Sequence, residues 1–217
     1  MRARYLEGAR AVAPIGVAAG AFGVSFGVLA RSSGMGRLAP LVMSATTFAG
    51  SAQFAAASIL GNAGAAAAAI AAAVMLNARY APIGISVAPA FDGSLLRRLL
   101  QAQLIVDESW AIALKRREGF DVRVLLGAGG LLYVCWTGGT ALGVLLGDAI
   151  GDPNRLGLDA AFPALFLALL VSQLDSRRTV IAAALGGAIA LALIPFSPAG
   201  VPIVAGAAAC LVGWRKA

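Results

Sequence analysis

The chain has no histidine, and only two of its 217 residues are cysteine. Without histidine the commonest metal ligand and the usual proton shuttle are missing, so any proton relay has to run through carboxylates. A rhomboid-type Ser/His pair is excluded, and a zinc protease loses its usual ligands. Cys135 and Cys210 each lie inside an apolar run with no paired spacing, which reads as packing rather than as a disulfide framework or metal site. No cofactor is expected. Charge is scarce too: charged residues make up 12% of the chain and hydrophobic residues 60%, far from the balance of a soluble globular domain.

What is present is apolar sequence from end to end. Runs such as Ala63–Met75 and Ile181–Ile194 are continuous, whereas the strands of a membrane barrel would alternate apolar and polar residues. The chain is therefore read as an all-α polytopic membrane protein, one integral membrane domain over residues 1–217. Its length allows about seven or eight spans of roughly 20 residues each. The net charge of +7 would suggest nucleic acid in a soluble protein. Here the basic residues fall in gaps between apolar runs, so they read as topology signals against membrane lipid, with no nucleic-acid partner. A basic start before an apolar stretch has the layout of a signal peptide. That stretch is long enough to span and leads into further segments, so a retained first helix is the better reading.

Charged and Gly/Pro-rich gaps divide the chain into segments at 12–30, 38–60, 64–91, 98–114, 123–147, 159–174, 179–195 and 199–214. With all eight spanning and the N-terminus cytoplasmic, Arg2, Arg4, Arg10, Lys115, Arg116, Arg117, Arg123, Arg177, Arg178, Arg215 and Lys216 fall inside. Arg31, Arg37, Arg97, Arg98 and Arg155 fall outside with the acidic residues Asp148 and Asp152, the asymmetry that the positive-inside rule demands. The fourth segment is barely long enough to cross and carries Gln101, Gln103, Asp107 and Glu108, so a re-entrant or cavity-lining element is the alternative. Gly16, Gly20, Gly23 and Gly27 form one helical stripe, and Gly139, Gly143 and Gly147 another. Such stripes let helices pack closely; they also suggest an internal repeat, with Gly23 matching Gly139 and Gly27 matching Gly143. Whether that repeat is parallel or inverted depends on the fourth segment.

Polar residues inside membrane segments are costly, so they are the candidates for chemistry. In the second segment Ser44, Thr47 and Ser51 share one helical face, and Thr46, Gly50 and Gln53 a neighbouring one. Gln53 stands out because a buried amide needs several partners: a substrate path or another helix. The third segment is too long for the hydrocarbon core as one straight helix and must tilt or break. Pro82 would free the carbonyl of Ala78 beside Asn77 and Arg79, and those two side chains share a cavity only if the segment unwinds. The alternative for Arg79 is snorkelling to an interface. Asp107 and Glu108 follow an apolar run without a countercharge. Neighbouring residues point about 100° apart, so one of them at most would face a cavity fully, as proton carrier or ligand, unless both sit at the interface near Lys115–Arg117. Asp159 reads as a helix N-cap.

Several stretches, in this order, resemble the AzlC family, the large subunit of branched-chain amino acid exporters. They are Phe48-Ala-Gly-Ser-Ala-Gln-Phe54, Leu76-Asn-Ala-Arg79, Val106-Asp-Glu-Ser-Trp110, Trp136-x-x-Gly-Thr-x-x-Gly143 and Leu156-Gly-Leu-Asp-Ala-Ala-Phe-Pro-Ala-Leu-Phe166. The resemblance implies a multi-pass protein of the cell inner (plasma) membrane that exports branched-chain or other small apolar amino acids, and a small AzlD-type membrane partner. A zwitterionic substrate needs an acceptor for its ammonium and donors for its carboxylate. Asp107 or Glu108 would serve the former or carry a proton, and Ser51, Gln53, Asn77 and Arg79 the latter. The readings that compete with transport are a non-conducting assembly subunit and an intramembrane enzyme.

Overall fold

Without water, a membrane segment has to satisfy its backbone polar groups internally, which favours helices. Every regular element among the described residues of the computed structural model is helical. It describes residues 2–114, 120–150, 174–197 and 201–209, with 167, 170 and 171. The helices are α1 (Arg2–Ser32), α2 (Leu38–Thr46), α3 (Gly50–Gly61), α4 (Ala66–Asn77), α5 (Tyr80–Val87, continued by a 3-10 turn at Ala88–Ala90), α6 (Leu95–Ala102), α7 (Asp107–Leu114), α8 (Val122–Ile150), α9 (Arg177–Leu193) and α10 (Val201–Gly206). Asp159 with its motif, Lys115–Arg117, Asp152, Arg155, Cys210, Arg215 and Lys216 lie outside the described residues. Asp148 belongs to the last turn of α8 rather than to a loop.

By length and composition, α1 and α8 can each cross a membrane alone, and α4 with α5 forms a third candidate bent by 44° at its break. The described residues thus supply two or three candidate crossings against the seven or eight expected from sequence. Part of the difference lies outside the described residues, which omit most of segment 159–174 and the end of 199–214; another part reflects interruptions, since segments 38–60 and 98–114 are not continuous helices. The first breaks at residues 47–49 and the second at 103–106. At the first break Phe48 takes a left-handed φ of +43°, a conformation costing an L-residue about 1–2 kcal/mol. Its ring is held edge-on against Tyr133, with centroids 5.1 Å apart. Two caps define helix starts elsewhere. Ser94 accepts from the N–H of Arg97 at α6, and Ser176 and Thr179 form a reciprocal capping box at α9.

The glycine stripes meet each other. A Cβ added to Gly23 would stand 2.5 Å from the carbonyl oxygen of Trp136, and one added to Gly27 2.5 Å from that of Thr140. Gly139 and Gly143 lie directly against the backbones of Gly20 and Val24. Contacts advance together along both helices, from Gly8 with Val124 through Gly16 with Cys135 to Gly27 with Val144. α1 and α8 therefore run parallel, and their first turns lie at one end, where Arg4 Nε is 3.8 Å from Asp121 Oδ2. Two parallel spans need an odd number of crossings between them. With the bent α4–α5 pair crossing once, segments 38–60 and 98–114 cross together or not at all. The repeat partners Gly23/Gly139 and Gly27/Gly143 sit side by side in this parallel seam.

Around the seam, Val12, Phe26, Phe54, Leu132 and Trp136 form the main core, with Phe26 stacked on Trp136 at 6.2 Å. A second cluster, Ala56, Ile59, Ala69 and Ala72, joins α3 to α4. The seam yields a prediction. Gly143→Leu must push two backbones apart and should destabilise the protein by about 2 kcal/mol or more. Gly138→Ala, which meets nothing within 4 Å, should be neutral; thermal unfolding of the detergent-purified protein compares them.

Candidate functional site

The three broken segments converge. Arg79, in the break between α4 and α5, reaches Asp107, the first residue of α7, with Nη2 to Oδ2 at 3.1 Å. The same Nη2 donates to Ser51 Oγ in the first turn of α3, at 3.3 Å, and lies 3.5 Å from the Tyr80 hydroxyl. The guanidinium carbon stands 5.2 Å from the centroid of the Tyr80 ring. Asp107 thus has the countercharge that its own segment lacks. The pair keeps 42% and 39% of its side-chain surface accessible, so an incoming ligand can reach both charges.

These residues line a cavity of about 240 Å³, together with Glu108, Gly50, Phe48, Val106 and an apolar wall of Ile15, Ala18, Ala19, Phe22, Leu132 and Trp136. Ile15–Phe22 and Leu132–Trp136 sit half-way along α1 and α8, and Arg79 half-way along the bent α4–α5 pair. The cavity accordingly lies at mid-depth of the spanning helices. Arg79 points into it instead of snorkelling to an interface. Asp107 and Glu108 both line it, although adjacent residues diverge on a helix, because α7 begins at the cavity and presents its first turn there.

Two sequence candidates stand elsewhere. Gln53 is fully buried behind the cavity wall. Its Oε1 accepts from the Trp136 indole at 3.0 Å and from the Ala49 N–H at 3.2 Å, and its Nε2 donates to Ser44 Oγ at 2.8 Å. Thr140 donates to the Trp136 carbonyl at 2.9 Å, so its single proton is used and Ser44 is the donor in the 2.8 Å Ser44–Thr140 bond. Asn77 is absent from the cavity lining. Unwinding was needed to bring it beside Arg79, but Ala78 (φ −56°, ψ −27°) and Arg79 (φ −60°, ψ −25°) keep right-handed helical torsions. The break is a local tightening in which Ala81 N–H takes the Ala78 carbonyl at 3.1 Å, so Pro82 does not leave that carbonyl free. Asn77 Oδ1 is buried and has no hydrogen-bond partner among the described residues.

The side chains that make the breaks tolerable had no such role assigned from sequence, although Gln103 stood out as a polar residue of the fourth segment. The freed carbonyls at the end of α2 are met by Tyr133, whose hydroxyl donates to Ala45 O at 2.8 Å, and by Gln103, whose Nε2 lies 3.2 Å from Ala45 O and 3.0 Å from Thr46 O. Ser109 Oγ accepts from the Val106 N–H at 3.0 Å and so caps α7. Trp136 and Tyr80, which border the charges, carried no periodicity signal; Trp136 was visible only as a motif residue.

A seam of small residues beside discontinuous helices, with opposite charges in a mid-depth cavity of about 240 Å³, is the architecture of a helical membrane protein. The chain belongs to the AzlC protein family, whose profile matches residues 14–150. It is 32% identical over 201 residues to an uncharacterized membrane protein of Archaeoglobus fulgidus, covering 88% of this chain and 85% of that protein. It is 30% identical over 158 residues to the branched-chain amino acid transport protein AzlC of Bacillus subtilis, covering 70% of this chain and 60% of that one. No solved structure matches the chain.

Replacing Gln53 by Leu strips the Trp136 and Ala49 N–H groups of their buried acceptor. The variant should lose about 2–4 kcal/mol of stability, read as a lowered thermal midpoint, whereas Ser44→Ala should cost about 1 kcal/mol.

Proposed function

We propose that this chain is the conducting subunit of a secondary-type transporter that carries branched-chain or other small apolar amino acids out across the cell inner membrane. The observation that carries this reading is the cavity itself. Its lining divides into opposite charges, Arg79 and Asp107, and apolar side chains, among them Ile15, Phe22, Leu132 and Trp136. An aliphatic amino acid has the same division, two opposite charges on one carbon and a branched apolar side chain beyond it. Likeness to the branched-chain amino acid transport protein AzlC of Bacillus subtilis supports the substrate class.

In this reading Arg79, with Ser51 and the first-turn N–H groups of α3 beside it, takes the carboxylate. Asp107 takes the ammonium, and Glu108 is the free carboxylate for proton coupling. Gln53 acts indirectly by fixing Trp136 and the start of α3, and Asn77 lies outside the direct contacts. The geometry suits binding and release rather than bond cleavage, since Ser51 Oγ faces a guanidinium, which cannot serve as its base. Outward direction and a small AzlD-type membrane partner rest on the family likeness.

Cells fed dipeptides of leucine, isoleucine or valine accumulate the free amino acid and depend on export. Expression of this chain with a small partner of that type should relieve growth inhibition and lower intracellular amino acid, and Arg79→Gln should reduce the rescue by about tenfold or more at equal protein level. Unchanged growth and unchanged intracellular amino acid would refute transport of this class.

A further inference from the structure

Within the cavity the two groups that would hold a zwitterion hold each other. Arg79 Nη2 and Asp107 Oδ2 lie 3.1 Å apart, and each belongs to a different broken segment: Arg79 just before α5, Asp107 at the start of α7. Ser51, from the third broken segment, accepts from the same guanidinium. We propose that this bridge is the site's internal substitute for substrate: it opens as the ligand's carboxylate takes Arg79 and its ammonium takes Asp107, so the cavity selects molecules carrying both charges. This rests on the amino-acid reading above and adds an exchange of ion pairs and a rule of selection.

The exchange follows from how the charges are placed. A half-accessible ion pair is weak, so opening it opposes binding little, and a zwitterion replaces one pair with two. A ligand with a single charge does something different. An amine takes Asp107 from Arg79, which keeps only Ser51, Tyr80 and the neighbouring Glu108, and a carboxylate takes Arg79 from Asp107. Each half-ligand breaks one pair to make one, whereas a zwitterion breaks one and makes two. Hence both half-ligands are rejected although each finds a correct partner. Insertion also spreads the bridge by at least the length of one charge-assisted hydrogen bond, about 2.8 Å. Ligand therefore changes the spacing between the start of α5 and the start of α7.

The inference is tested with the full-length protein in lipid nanodiscs and three ligands of one shape: leucine, 3-methylbutylamine, which lacks its carboxylate, and 4-methylpentanoate, which lacks its ammonium. The wild-type chain is expected to bind leucine at least about tenfold more tightly than either analogue, which is about 1.4 kcal/mol. Arg79→Gln should reverse the order in favour of the amine. Asp107→Asn combined with Glu108→Gln, which removes the second carboxylate of the cavity, should reverse it in favour of the acid. A gain of binding can be read only from folded protein. Where a variant does not fold, the charge-exchanged form, Arg79→Asp with Asp107→Arg, restores a pair and is expected to bind leucine and reject both analogues. Wild-type protein that binds an analogue as tightly as leucine, or folded variants that gain neither analogue, would overturn the exchange and leave the amino-acid reading standing. Binding of none of the three would overturn both.

Discussion

A carbonyl or N–H freed at mid-depth in a membrane has no water to bond, and this constraint governs the protein. The chain interrupts three segments in the same region, at residues 47–49, 78–79 and 103–106, and handles each interruption by a separate device. At the first, long polar side chains from other segments, Tyr133 and Gln103, reach the carbonyls of α2. At the second the backbone tightens and bonds to itself across Ala78–Ala81. A serine side chain inside the helix that follows, Ser109, closes the third. Gln103 belongs to one break and serves another, so the two discontinuities stabilise each other.

The glycine seam provides the rigid counterpart. Because α1 and α8 touch along their backbones, neither can rotate or slide without collision, and the apolar wall of the cavity is carried on that pair. The charges are carried on the interrupted segments. Stable geometry and ionisable chemistry are thus assigned to different parts of the chain, and they meet along one side of the seam. In lipid, where helices gain little from hydrophobic association, close packing of small residues is the available means of fixing such a wall.

Much of this was legible in residues. Composition and continuous apolar runs gave helices in a membrane, and the stripes Gly16–Gly27 and Gly139–Gly147 gave the seam. Excess length around Pro82 gave the bend. Arg79, Asp107, Glu108 and Ser51 were legible as costly polar residues and do line the cavity. The break at Phe48 was not legible, because Thr47-Phe48-Ala49 contains no glycine or proline and its left-handed torsion is imposed by tertiary contacts. Hydropathy sees a segment of the right length whether or not it is interrupted, so such a break passes unseen. Gln53 and Asn77 had the right chemistry for a ligand site, but which way a side chain turns is decided by neighbours as distant in sequence as Trp136.

The amide of Gln53 holds the Trp136 ring and the N–H of Ala49, just before α3, on a single oxygen. In mechanical terms, part of the cavity's wall and the start of one of its polar helices are riveted into one body. Displacing either one displaces the other. Beside that body the starts of α5 and α7 meet each other through the Arg79–Asp107 pair, and Arg79 ties them to it at Ser51.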